Sequence, residues 1–167
     1  MLLLPAAAVL MVFLGTTYVR KKHETGRKEI GYKVSAVFAA AHLFFIAGML
    51  CLVSPGLFTL VLFACVYAVL FAILRPYIRK LGKLAVLGAL YVAFLCAMFS
   101  MAGTVFFENP GLSGGAAALG GAAFVASDTI LAVNLIGEKN SRKLDKILLV
   151  LYYSAVYLLA VCRYLPG

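Results

Sequence analysis

The sequence has too little charge for a soluble domain. Of its 167 residues only 13% are charged, whereas 65% are hydrophobic. A soluble domain normally has about 25% charged and about 45–50% apolar residues. The mean hydropathy of +1.05 therefore indicates a chain that lies in a lipid bilayer. We expect an integral membrane protein with a single transmembrane domain over residues 1–167.

Histidine and cysteine are also too scarce or too scattered for a metal centre. There are two histidines, and the four cysteines lie inside apolar runs without CxxC spacing. This pattern predicts neither a zinc site nor a disulfide framework. The sequence also lacks HExxH, a nucleophile elbow and a glycine-rich phosphate loop. We expect no metal and no cofactor, which leaves metal-free acid chemistry or the binding of a polar ligand.

What the sequence has in abundance is long apolar runs. A helix needs about 17–25 residues to cross a bilayer, and backbone groups in lipid must be bonded within the helix. The chain is therefore predicted to be all-α, a polytopic transmembrane helix bundle with six visible spans. The first run, Leu2–Val19, lacks the charged start and cleavage site of a signal peptide, so we expect it to be a transmembrane helix. The six runs are Leu2–Val19, Val34–Val53, Leu57–Leu74, Leu84–Phe107, Gly115–Gly137 and Ile147–Tyr164.

The net charge of +9 comes from basic residues in alternate loops. Loops 20–33, 75–83 and 138–146 hold six, four and four Lys or Arg residues, and the two loops between them hold none. Lys and Arg concentrate in cytoplasmic loops of membrane proteins. We therefore expect these three loops in the cytoplasm and both termini outside, with no nucleic-acid partner. The location would be the plasma or inner membrane if the source is bacterial.

One acid, Asp128, lies well inside a predicted span. A charged residue at the bilayer centre costs at least about 2.5–3.5 kcal/mol, so such residues commonly mark a functional site. The alternative is a neutral Asp that hydrogen-bonds two helices together. Asp128 lies about 15 Å and His42 about 13 Å above the same inner boundary, from the rise of 1.5 Å per residue. This agreement predicts that Asp128 and His42 share a site.

Further polar side chains lie in the same half of the predicted bundle. Ser127 and Asn134 are seven residues apart and share a helical stripe. Tyr152 and Tyr153 lie about 9 Å deep, and Thr16 lies near the inner end of the first run. Each of these residues alone more often serves packing, but together they are candidates for substrate binding. The small residues of GLSGGAAALGGAA (111–123) predict close helix packing and leave a homo-oligomer possible.

Three stretches resemble the YhhN family, multi-pass membrane proteins that include animal lysoplasmalogenases. They are VFAAAHLFFIAGM (37–49), GGAAFVASDTILAVN (120–134) and KILLVLYYSAVYLLAV (146–161). The chain departs from the family pattern at Phe45, where tyrosine is usual, and at Val156, where glutamine is usual. A third departure is Thr16, which stands where the family has a second acid. Family members generally have about eight spans, and the six visible here are consistent with two missing N-terminal helices.

The resemblance implies hydrolysis of the vinyl-ether bond of lysoplasmalogens, with a membrane lipid as substrate. Burial favours the uncharged form of a carboxylic acid, so Asp128 is expected to deliver a proton, with His42 as its catalytic partner. Threonine cannot act as an acid or base near neutral pH, so Thr16 leaves a second reading open. That reading is a catalytically impaired relative that binds a lipid. The third reading is a small-solute or proton transporter that uses Asp128 and His42.

Overall fold

The computed structural model describes residues 42–82, 85–136 and 142–166. These residues are almost entirely helical, and no strand occurs among them. Residues 42–50 form the described part of helix α1. The others are α2 (Leu57–Lys80), α3 (Ala85–Glu108), α4 (Leu112–Ile136) and α5 (Arg142–Val161), and a 3₁₀ turn (Cys162–Tyr164) follows α5.

Four of these helices have the length and composition of membrane spans. The qualifying segments are Leu57–Lys80, Ala85–Glu108, Leu112–Asn134 and Lys143–Tyr164. The prediction of an all-helical membrane protein is therefore confirmed, whereas the count of six spans is not. The first predicted run lies outside the described residues, and the second lies only partly within them.

The helices extend beyond the apolar runs that predicted them. Helix α2 continues through Pro76 to Lys80, six residues past the predicted end. Buried Ile78 supports this extension, and basic residues in a last turn interact favourably with the helix dipole. Gly82, at a φ of 58°, then takes the left-handed conformation that ends many helices.

Helix α5 begins five residues before the predicted run, at Arg142. Its first turn carries Asp145, and a carboxylate there interacts favourably with the positive end of the helix dipole. Helices α2 and α5 thus both include charged turns beside the basic loops. Apolar run length alone underestimates such helices, because polar residues also form the turns nearest the membrane surface.

Helix α4 packs between α3 and α5 through adjacent glycines on two of its faces. A Cβ atom added at Gly121 would lie 3.0 Å from the Ala102 Cβ of α3. One added at Gly120 would lie 3.0 Å from Leu158 and Leu159 side-chain atoms of α5. Small residues allow helix backbones this close in a membrane, where dispersion contacts drive association. The close packing predicted for residues 111–123 thus has α3 and α5 as its partners.

Helices α2 and α3 are joined by a hydrogen bond at the end away from the basic loops. The Thr59 and Thr104 hydroxyls lie 2.7 Å apart and are both buried. Thr104 also bonds to the Ser100 carbonyl within its own helix. Polar groups in lipid are commonly paired between helices in this way. This pair therefore stabilises the end of the bundle away from the basic loops. It is separate from the polar side chains around Asp128, which lie nearer to those loops.

Candidate functional site

Asp128 lies on the face of α4 that meets α3. It follows Gly121 by seven residues, which is nearly two helical turns, so both residues share this face. Asp128 is buried, and the Tyr91 hydroxyl of α3 donates a hydrogen bond to its Oδ2 atom. The intramembrane acid is therefore bonded to a residue on the neighbouring helix.

His42 of α1 approaches the same carboxyl oxygen. Its Nε2 atom lies 3.6 Å from Asp128 Oδ2, and both side chains are buried. This separation is longer than a hydrogen bond but within the range of a close electrostatic contact. The residues that depth arithmetic placed at one level are thus brought together, and their catalytic roles stay a prediction.

Aromatic rings surround the His42–Asp128 pair. The Phe124 ring is fully buried, and its centroid lies 4.9 Å from that of His42 and 5.7 Å from that of Tyr152, both edge-on. Tyr152 in turn contacts Tyr153, with centroids 5.4 Å apart. The positive edge of one aromatic ring is attracted to the negative face of another, which favours such tilted arrangements. The carboxyl group therefore lies in a surrounding of low polarity, in which electrostatic interactions are stronger than in water.

Ser127 and Asn134 lie on the α5-facing side of α4. They follow Gly120, which faces α5, at intervals of seven residues, so the three residues lie on one face of the helix. The Asn134 Nδ2 atom donates to Asp145 Oδ1 of α5 at 3.3 Å. Asn134 also lies about 9 Å farther along the axis than Asp128. The structure thus places Asn134 at an α4–α5 contact away from the Asp128 carboxyl.

Tyr91 is a candidate site residue that the sequence patterns did not indicate. It lies eight residues after Lys83, and hence about 12 Å from the membrane boundary at the basic loops. This depth is close to the values derived for His42 and Asp128. The same arithmetic applied to the fourth apolar run therefore gives the level of Tyr91, but not the side of the helix on which its hydroxyl lies. Thr16, the remaining candidate, lies outside the described residues.

Three buried polar atoms on α4 have no hydrogen-bond partner within the described residues. They are Ser127 Oγ, Asp128 Oδ1 and Asn134 Oδ1. Buried polar groups in proteins are nearly always bonded, so each exception needs an explanation. A bound polar ligand is one partner that would satisfy them. The described ranges contain no cluster of three His, Cys, Asp or Glu side chains that could hold a metal ion.

Comparisons with known proteins identify the family. The family model described as the YhhN family matches residues 32–162. No curated protein and no solved structure matches the chain significantly. The matched region contains all the described site residues, including His42, Tyr91, Asp128 and Tyr152. Since the match extends over more than half of the sequence, this chain belongs to the YhhN family.

Proposed function

We propose that this protein is a membrane hydrolase that cleaves the vinyl-ether bond of lyso-ether lipids. The observation that carries the proposal is the Asp128 carboxyl, buried in an aromatic surrounding with His42 beside it. Its Oδ2 atom is held by Tyr91, and its Oδ1 atom has no hydrogen-bond partner within the described residues. A buried acid of this kind is suited to donate a proton to an uncharged group such as a vinyl ether.

The reaction needs one proton donor and one water molecule. Asp128 transfers its proton to the vinyl carbon that is not bonded to oxygen, which leaves an oxocarbenium ion. Water adds to the cationic carbon, and its excess proton returns to the Oδ1 atom of the Asp128 carboxylate, while His42 lies beside Oδ2 as the catalytic partner. The resulting hemiacetal breaks its bond to the glycerol oxygen. The products are a fatty aldehyde and a glycerophospho-base, and the acid is restored.

The position of the site in the bundle supports a lipid substrate. Asp128 and Tyr91 lie in the half of the bundle nearer to the basic ends of α2 and α5, where Arg79 and Lys143 are exposed. A lyso-ether lipid would place its phosphate near these cations, with its chain among the apolar helices. We propose that Ser127, Asn134, Tyr152, Tyr153 and Thr16 contribute polar contacts to this lipid.

The second candidate function is a lipid-binding relative without catalytic activity. It is favoured by the scarcity of acids near Asp128. The other acids in the described ranges are Glu108, at the end of α3, and Asp145, in the first turn of α5. Neither position places a second carboxylate beside the Asp128–His42 pair. An oxocarbenium ion would then lack the anionic group that the family's second acid supplies.

Product analysis with two matched lipids separates these functions. Purified protein is incubated with a lysoplasmalogen and with the alkyl-ether lysolipid of the same head group and chain length. We expect free aldehyde from the vinyl ether only, because the saturated ether has no carbon that a weak acid can protonate. Binding of both lipids without aldehyde would instead establish the lipid-binding relative.

We further propose that the basic loops face the cytoplasm, with the termini outside. The test uses a variant in which the native cysteines are replaced by alanine, since Cys51 and Cys65 are exposed. Single cysteines are then introduced as Ser141→Cys and Leu112→Cys. An impermeant thiol reagent added to intact cells should label the Leu112→Cys protein, and the Ser141→Cys protein only after permeabilisation. Labelling in the opposite order would contradict the orientation that the loop charges predict.

A further inference from the structure

The two oxygens of the Asp128 carboxyl have different surroundings. Oδ2 accepts a hydrogen bond from Tyr91 and lies 3.6 Å from His42 Nε2. Oδ1 is buried and has no hydrogen-bond partner within the described residues. A protonated carboxyl carries its hydrogen on one oxygen and accepts hydrogen bonds through the other. Oδ2 is thus the oxygen that accepts a hydrogen bond, and Oδ1 is the oxygen that can carry the proton.

We propose that Tyr91 is a positioning residue that holds Oδ2 as the acceptor and so places the transferable proton on Oδ1. This inference rests on the proposed function, in which Asp128 is the proton donor. Tyr91 donates its own hydroxyl hydrogen to Oδ2, so a carboxyl hydrogen on that oxygen would compete with it. The arrangement therefore fixes the side of the carboxyl from which a substrate carbon is protonated.

Tyr91 also stabilises the carboxyl group after it has lost its proton. The negative charge then spreads over both oxygens, and the bond from Tyr91 becomes charge-assisted. Such bonds are roughly twice as strong as those between neutral groups. An interaction that strengthens as the reaction proceeds accelerates the chemical step, whereas one of constant strength affects binding alone. Loss of the hydroxyl should therefore lower kcat with little change in KM.

Two contacts in this part of the bundle do not involve the Tyr91 hydroxyl. Its ring lies edge-on to His42, with centroids 5.5 Å apart and an interplanar angle of 75°. The close approach of α3 and α4 at Gly121 sets the distance between the helices that carry Tyr91 and Asp128. The substitution Tyr91→Phe preserves the ring and both contacts, so it removes the hydroxyl alone.

The first test is infrared spectroscopy, which does not depend on hydrolysis. Difference spectra between low and high pH should contain a protonated-carboxyl band that Asp128→Asn removes. In Tyr91→Phe this band should shift to higher frequency, because a carbonyl that accepts no hydrogen bond has a stiffer C=O bond. Tyr157→Phe, which removes an exposed hydroxyl on α5, is the matched control and should leave the band unchanged. An unshifted band in Tyr91→Phe, or no band in the wild type, would overturn the inference.

The second test measures kcat and KM on the vinyl-ether lysolipid. Tyr91→Phe should reduce kcat by about tenfold to about a hundredfold, the loss expected for one hydrogen bond to a charged group. A shifted infrared band with kcat within twofold of wild type would mean that the bond exists but does not assist the reaction, which also overturns the inference. If the wild type releases no aldehyde, the proposed function fails, and the infrared band alone decides whether Tyr91 holds Oδ2.

Discussion

The substitution Asp128→Asn is expected to lower the rate of vinyl-ether hydrolysis by about 10²–10⁴, the usual contribution of a general acid. Asparagine has nearly the size of aspartic acid, and its side-chain oxygen still accepts the hydrogen bond that Tyr91 donates to Oδ2. It has no proton that it can transfer at neutral pH. Initial rates of aldehyde release measure the loss, and thermal unfolding in detergent measures whether the bundle is retained.

The matched control is Glu108→Gln, which makes the same change from carboxyl to amide. Glu108 is exposed at the end of α3, so the activity and unfolding temperature of the Glu108→Gln protein should stay close to those of the wild type. Unaltered turnover in Asp128→Asn would eliminate Asp128 as the proton donor. A variant that no longer assembles would support the other explanation, in which Asp128 joins α4 to α3.

Gly121→Leu is expected to destabilise the helix bundle. A Cβ atom at this position would lie 3.0 Å from Ala102 Cβ and 3.3 Å from Phe99 Cδ2. A leucine must push α3 away from α4, and overpacking of this kind costs about 1–3 kcal/mol. The same displacement separates Tyr91 from Asp128, so hydrolysis should fall together with the unfolding temperature.

Gly115→Leu is the matched control for this substitution. Gly115 lies in the same helix, and a Cβ atom there would have no neighbour within 4 Å. It should tolerate the larger side chain without loss of stability or activity. Equal effects of the two leucines would show that the α3–α4 approach at Gly121 is not what positions the site.

The sequence was sufficient to predict the four spans that the structure describes and the proximity of two candidate site residues. In lipid the backbone must be bonded internally, so long apolar runs have little choice but to form helices. Depth along a helix follows from residue number at 1.5 Å per residue. This is why His42 and Asp128 were placed at one level without knowledge of the packing, and they lie 3.6 Å apart.

Other features depend on how each helix is rotated against its neighbours, which residue counting does not determine. Ser127 and Asn134 are predicted to share a helical stripe as candidates for substrate binding. The packing turns this stripe towards α5, where Asn134 bonds to Asp145. Tyr91 lies in an apolar run, where a tyrosine is compatible with simple packing, so the sequence alone does not single it out. Its bond to Asp128 follows from the rotation of α3, which directs its hydroxyl at the carboxyl group.

The packing of α4 also limits which mutations its coding sequence can tolerate. Gly121 and Asp128 face α3, Gly120 faces α5, and a third face, with Leu119, Ala122 and Ala126, is exposed. Substitutions on the third face change neither helix contact. Insertion or deletion of one codon between positions 121 and 128 would instead turn the acid by about 100° relative to the glycine. We therefore expect variants of this helix to accumulate point substitutions on the exposed face while the seven-residue interval keeps its length.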